Sequence, residues 1–445
     1  MSPPRKLLLA ALVAAAPVFA QQPSAPPARN DLLTIYRDAL ANDPTYASAR
    51  FAQQAAVEVE PQARSALLPN VSAAVGASAN YFNSRTPDLS RNYSSWGPSI
   101  SASMPLYDSV ANETLSQAKI SVAQSTYVLE QARQDLILRV SQAYFDVLAA
   151  QDDLTAIEAN KQAVSEQLAQ ARREFEVGTK TIVDTHEAQA RYDLIVAQEQ
   201  VALGTLIVRQ NALRAIIGRD PGNLLALREP LNLSPPNPRQ VETWARQAEE
   251  SSYSVQIAQA NSDIARIEVK RQRDAYLPTV DLVASANQNR SDGTVSTNFS
   301  NTTRGGSIGV QLNVPIYTGG LIQSRVRQAL ANEEKSRQDL EGSRRTAAQA
   351  ARGFYTGVDY GLSQVKALES AEVSARSQLD STRLGYRVGI RINLDVLNAT
   401  TQLFLTQRDL KKARYDYLLN GLRLENAVGS LDEADLDTIN ALLAR

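Results

Sequence analysis

Cysteine is absent from all 445 residues. That excludes disulfide staples, thiolate metal sites and a lipid-bearing N-terminal cysteine. Histidine occurs once, at His186, with no cluster of His, Cys, Asp or Glu at metal-ligand spacing around it. No serine nucleophile elbow, phosphate-cradling glycine loop or paired catalytic carboxylate is present either, so the chain reads as a non-enzyme without metal or cofactor. Aromatic residues are scarce, 6% against 43% hydrophobic, too thin a supply for compact globular cores. An extended molecule is implied. Charge of one sign is missing too: the formal net charge is -1 with no dense basic block, which sets nucleic acid aside.

Long apolar runs are confined to the start. Arg5 and Lys6 precede the run Leu7 to Ala16, and Val18, Phe19 and Ala20 form a small-x-small cleavage site, so residues 1–20 read as a secretory signal. The run is about half the length a spanning helix needs.

Proline is the next informative absence. None occurs between Pro105 and Pro221 and none after Pro315, leaving two tracts rich in Ala, Leu, Gln, Arg and Glu free to be helical. In the first, Leu115, Ala118, Val122, Ser125, Leu129, Ala132, Leu136, Val140, Ala143, Val147, Ala150, Leu154 and Ile157 recur at three-and-four spacing. That is a coiled-coil seam, and over 110–176 it implies roughly 100 Å of helix. Shorter helices are expected at 32–67, where Pro61 should kink the chain, and at 181–217. Stacked end to end they match the long one.

The second half repeats the first. Leu68, Pro69 and Val71 correspond to Leu277, Pro278 and Val280; Pro105 and Tyr107 to Pro315 and Tyr317; Tyr144-Phe145 to Phe354-Tyr355; Val177, Gly178 and Asp184 to Val388, Gly389 and Asp395. The offset drifts only from 209 to 211, as a tandem duplication predicts. The first repeat is placed at 21–229 and the second at 230–445, with helices at 320–387 and 392–428 and a proline-rich linker around Pro230, Pro235, Pro236 and Pro238.

Ahead of each helical tract lie two stretches of period two, expected as strands at 71–82, 95–106, 280–288 and 307–317. Ile308, Val310 and Leu312 alternate with Ser307, Gly309 and Gln311; Ile100, Ala102 and Met104 alternate with Ser99, Ser101 and Ser103. Each is close to the length of a tilted transmembrane strand, and the small hydroxylated face suits a water-filled lumen. Tyr81, Phe82, Tyr93 and Trp96 are expected as girdle aromatics. On the strands alone an ordinary soluble sheet stays open. Four strands cannot close a membrane barrel, so a spanning sheet requires an oligomer.

In order along the chain, Tyr36-Arg-Asp-Ala-Leu-Ala-Asn-Asp-Pro44, the Leu-Pro pairs at 68–69 and 277–278, Pro315-Ile-Tyr-Thr-Gly-Gly320, Phe175-Glu-Val-Gly-Thr-Lys-Thr-Ile-Val-Asp184 and Tyr386-Arg-Val-Gly-Ile-Arg-Ile-Asn-Leu-Asp-Val-Leu-Asn-Ala-Thr400 resemble the TolC-type outer-membrane channel-tunnel family of type I secretion and drug efflux. The resemblance covers essentially the whole mature chain. It implies a mostly α, α+β fold: four strands per protomer in the shared twelve-strand barrel of a homotrimer set in outer-membrane lipid, continued by a periplasmic coiled-coil tunnel. Its implied function is an exit duct for proteins or small molecules that docks a periplasmic adaptor and an inner-membrane transporter.

Gly178 and Gly389 each follow a coiled coil and precede a new helix, where a positive φ reverses the chain. They mark two hairpin tips that expose Val177, Thr179, Val388 and Ile390. The family reading makes the tips adaptor-docking elements. It makes Asp184, Tyr386 and Arg391 a gating latch and Asp395 part of a lumen-facing, cation-selecting ring. Asn398 departs from the family pattern, which has a second aspartate there, and so halves the ring's charge. Asp184 and Asp395 also sit where a carboxylate simply favours a helix start. The rival readings are a periplasmic adaptor, which would show one hairpin and continuous β domains, and a soluble coiled-coil scaffold, which leaves the alternating strands without a purpose.

Overall fold

The computed structural model describes residues 30–86, 88–295, 297 and 299–444. The proposed signal at 1–20 lies outside them. Helices α1 (Leu32–Asn42), α2 (Pro44–Val57) and α3 (Val59–Ser65) lead into strands β1 (Asn70–Arg85) and β2 (Asp88–Tyr107), the long helix α4 (Ser109–Glu176) and its return α5 (Ile182–Ile217). After the linker the pattern recurs as α6 (Val241–Ser251), α7 (Tyr253–Asp274), β3 (Thr279–Ser291), β4 (Asn301–Asn313), α8 (Leu321–Arg387), α9 (Asn393–Val428) and a closing α10 (Glu433–Asn440).

Prolines set several of these boundaries. The stretch expected as one kinked helix over 32–67 is three pieces. Asp43, held extended (ψ 119°) ahead of Pro44, ends α1 and caps α2 through a 2.7 Å bond from the Tyr46 amide to its carboxylate. Pro61 would clash with the carbonyl of Val57, and α2 ends there. β4 runs 301–313, not 307–317: Pro315 has no N–H to give a ladder, and the strand stops two residues before it. β3 extends past the expected 280–288 in both directions. Helices α6 and α7, unexpected from the sequence, mirror the first repeat at the offset of 209: α6 answers to α1, and α7 to α2 and α3 run together.

All four strands pair antiparallel in the order β1-β2-β3-β4. The register settles the two faces, because directly paired residues point the same way. Val71, Val75, Ile100, Ala102, Met104, Leu282, Ala284, Ile308, Val310 and Leu312 share one face. The other carries hydroxyl pairs, Ser72 with Ser101 (2.8 Å), Ser78 with Ser95 (2.8 Å) and Ser285 with Ser307 (3.0 Å). Tyr81 and Trp96 belong to the apolar face, but Phe82, opposite Arg91, and Tyr93, opposite Asn80, fall on the hydroxyl face. The expected aromatic girdle is therefore only Tyr81 and Trp96, since a period of two sends neighbouring aromatics to opposite sides.

Each strand is continued by its own helix, so the strand order dictates the helix order. α3, α4, α7 and α8 lie side by side under β1, β2, β3 and β4, and farther from the sheet the order is α5, α4, α9, α8. At 1.5 Å per residue α4 and α8 are each about 100 Å long. The main core sits at the waist, where Tyr36, Leu136, Val140, Tyr144, Phe145, Leu213, Leu418 and Leu436 are buried. There the Tyr144 hydroxyl donates to the Leu225 carbonyl (2.7 Å) and ties down the inter-repeat linker, while Phe145 packs on Tyr415. No helix among the described residues is long and apolar enough to cross a membrane.

Candidate functional site

The two hairpin tips are built alike. At the first, the Gly178 amide donates to Phe175 (2.9 Å) and the Thr179 amide to Glu174 (2.9 Å); at the second, Gly389 donates to Tyr386 (3.1 Å) and Ile390 to Gly385 (2.9 Å). Gly178 and Gly389 have φ of 76° and 82°, the left-handed conformation that satisfies the last helical carbonyls while reversing the chain. Val177, Val388 and Ile390 are 72%, 62% and 78% exposed. A Cβ at either glycine would meet nothing within 4 Å. The tips are thus bare, apolar and sterically open.

The residues expected as a latch are close together but occupied separately within the chain. The Asp184 carboxylate accepts from the Thr181 hydroxyl (2.9 Å) and amide (3.2 Å), fixing the start of α5. Arg391, just ahead of α9, turns to Asp395 (3.7 Å) in that helix's first turn. Tyr386, buried against Leu379, Val396 and Leu403, donates its hydroxyl to Glu174 (2.6 Å) on α4, and the Lys180 ammonium lies 4.6 Å over its ring. Burial, and then the Glu174 carboxylate, push the Tyr386 hydroxyl well above the usual tyrosine range, so it stays a donor. In one chain the cross-hairpin partner of Tyr386 is Glu174, not Asp184.

Two asparagines of the second hairpin also bind it to the first near the tips. Asn393, fully buried, donates to the Asp184 carbonyl (3.2 Å) and accepts from Gln167 (2.5 Å). Asn398 accepts from Arg191 (2.8 Å) on α5. Glu174, Gln167, Lys180, Arg191 and Asn393 gave no local sequence signal, because their partners lie up to 226 residues away. Asp395 accepts weakly from the Ile392 amide (3.4 Å), the helix-start role of Asp184 repeated in the second copy. With Arg391 beside it, its charge is partly offset. His186 is exposed on α5, and no group of His, Cys, Asp or Glu among the described residues could hold a metal ion.

The profile of the family described as "Outer membrane efflux protein" matches residues 35–219 and again 244–430, a spacing of 209 that agrees with the duplication. Outer membrane protein TolC of Vibrio cholerae serotype O1 is 34% identical over 412 residues, covering 92% of this chain and 93% of that one. The alkaline protease secretion protein AprF of Pseudomonas aeruginosa is 32% identical, covering 92% and 86%. The crystal structure of the Campylobacter jejuni CmeC outer membrane channel superposes with a TM-score of 0.78 over 98% of this chain and 97% of that one; at 16% identity it speaks for the fold alone. Nothing here favours the adaptor or scaffold alternatives, since the likeness to outer-membrane channels runs through both repeats.

Proposed function

Since this chain belongs to the outer membrane efflux protein family, we propose that three copies assemble into one continuous duct whose far end docks a periplasmic adaptor and an inner-membrane transporter. The protein is an outer-membrane exit duct for export, a channel and not a catalyst. The observation that carries the assembly is the open sheet: β1 and β4 each have one unpaired edge, while one face is apolar and the other hydroxylated. An unpaired edge is intolerable in hydrocarbon, so β4 of one protomer must meet β1 of the next. Three such sheets supply enough strands for a water-filled lumen. The helix edge agrees: α5 leaves Val201, Ile207 and Val208 71%, 57% and 64% exposed, a surface for the neighbouring α8.

The lumen would be lined mainly by serine, asparagine and glutamine side chains and by bare glycine backbone, which hydrate a passing substrate without selecting it. Selectivity then resides in the transporter docked at the tips. Closure is assigned to the contacts between hairpins, Tyr386 to Glu174 above all, with Asp184 and Arg391 available to a neighbouring protomer. Charge-assisted bonds of this kind are worth about 2 kcal/mol each, and threefold repetition suffices to hold a resting tunnel shut.

Docking is tested at the tips. Replacing Gly178 and Gly389 by tryptophan should abolish export while leaving the yield of heat-sensitive oligomer in outer membranes unchanged, because neither position touches the barrel. Export that persists with both replaced would remove the docking assignment.

A further inference from the structure

We infer that Arg290 and Arg304, flanked by Trp96, form a binding site on the outside of the barrel for the phosphorylated headgroup of the glycolipid in the outer leaflet. The inference rests on the outer-membrane location and is independent of docking or gating. Its basis is the strand register. Arg290 pairs with Trp96, and Arg304 pairs with Gln288, whose β2 neighbour in the same register is Pro98. Both arginines therefore share the face of Ile100, Ala284, Ile308 and Val310, which turns away from the hydroxyl-lined lumen.

Their height is as informative as their face. On β4 the outward positions read Leu312, Val310, Ile308, Gly306, and then Arg304 and Thr302. Eight residues from Leu312 to Arg304 rise about 20 Å along a strand tilted by ~40°. Exposed Val314 and Ile316 carry the apolar surface on below, toward the ~25 Å band that a barrel presents to lipid. Arg290 and Arg304 thus stand at the upper rim of that band. On β2 the outward face turns polar at the same level, from Ile100 and Trp96 to Ser94 and Asn92. Trp96, 50% exposed, sits at the transition as an interfacial aromatic does.

The electrostatics leave the pair available to an anion. Arg304 donates from Nε to the Gln288 side chain (3.0 Å), which orients the guanidinium and leaves its charge uncompensated. Among the described residues, neither arginine meets a carboxylate within ion-pair distance. Asp292, two residues beyond Arg290, accepts from the Ser94 hydroxyl (2.6 Å). As diagonal neighbours on adjacent strands the two arginines are about 7 Å apart, within reach of one phosphate or of two on a single headgroup. A free phosphate would gain only the charges. A glycolipid also lays its acyl chains on the apolar face below and its sugars on Trp96.

The test uses the assembled channel in detergent, titrated with diphosphorylated lipid A, the same lipid without phosphates, and inorganic phosphate, read by native mass spectrometry. The diphosphorylated lipid should bind about tenfold or more tightly than the dephosphorylated one, with an affinity that falls as salt rises. Inorganic phosphate in large excess should not displace it. R290Q/R304Q should lower that affinity at least about tenfold while oligomer mass and conductance stay as in the wild type. Equal binding of lipid with and without phosphates, displacement by inorganic phosphate, or an unchanged affinity in the double variant would each overturn the site. Should the variant fail to assemble, the comparison of lipids on the wild-type channel still decides.

Discussion

At the scale of residues, the tip glycines were legible in the sequence and the contacts around them were not. Gly178 and Gly389 each follow a coiled coil and precede a new helix, and a left-handed residue is what turns the chain back there. Tyr386 was expected to join Asp184 and Arg391 in a latch, whereas within the chain its hydroxyl meets Glu174, on α4. Nothing local marks that pairing. The Asn398 departure acquires a physical sense from Arg191, 2.8 Å away: an aspartate there would be met by a guanidinium. Asn398→Asp alone should therefore change divalent block of the channel little. Combined with Arg191→Ala it should strengthen block about fivefold or more, equivalent to the ~1 kcal/mol that one exposed charge adds at close range. Current block by magnesium in planar bilayers checks this, and strong block in the single variant would show that Arg191 does not shield the site.

At the scale of elements, period and punctuation carried most of the information. The seam over α4 and the alternation in β2 and β4 needed no tertiary knowledge. Boundaries went astray where a proline acts on the residues before it: at Asp43 ahead of Pro44, and at Val314 ahead of Pro315. One strand feature is invisible in the sequence. Gly76 and Gly97 are cross-strand partners, yet a Cβ on Gly97 would lie 1.8 Å from the Gln288 carbonyl oxygen, while one on Gly76 would meet nothing within 4 Å. Gly97→Val must push β3 away, at a cost of about 1–3 kcal/mol or more, and should reduce the fraction of oligomer on unheated gels. Gly76→Val should leave that fraction unchanged. Equal losses in both would show that β2 and β3 can separate freely at this level.

The helix layer has its own acid-sensitive joint. Glu268 on α7 accepts from Gln117 on α4 (2.9 Å), from Arg271 (2.8 Å) and from Gln272 (2.7 Å). Burial alone would raise its carboxyl, but these hydrogen bonds outweigh it and hold the group at about 2, below its ordinary 4.5. A depressed carboxyl stabilises the fold above its unfolded value and loses that contribution as the group is protonated. The α4–α7 contact should therefore weaken as pH falls from about 4.5 toward 2. Thermal unfolding of the Glu268→Gln variant should show a shallower decline over that window than the wild type, and parallel curves would assign the acid sensitivity elsewhere.

At the scale of the whole molecule, duplication explains why so much was readable. Each repeat writes the same order of helix, strand pair, long helix, tip and return helix, so one copy corroborates the other, and the family profile matches both. What one chain does not contain is the closure of the barrel: the edges of β1 and β4 and the exposed valines of α5 are the half-surfaces that the proposed assembly completes with neighbouring copies. A duct held shut by contacts between its hairpins, as proposed, makes a sharp demand on current. Single-channel recording in planar bilayers, comparing the wild type with the Tyr386→Phe, Arg391→Ser double variant, addresses pore and closure together. Discrete ion-conducting steps from the wild-type assembly and clearly larger steps from the double variant are predicted. The absence of steps from both would contradict the duct itself, and identical steps would contradict closure by the hairpin contacts.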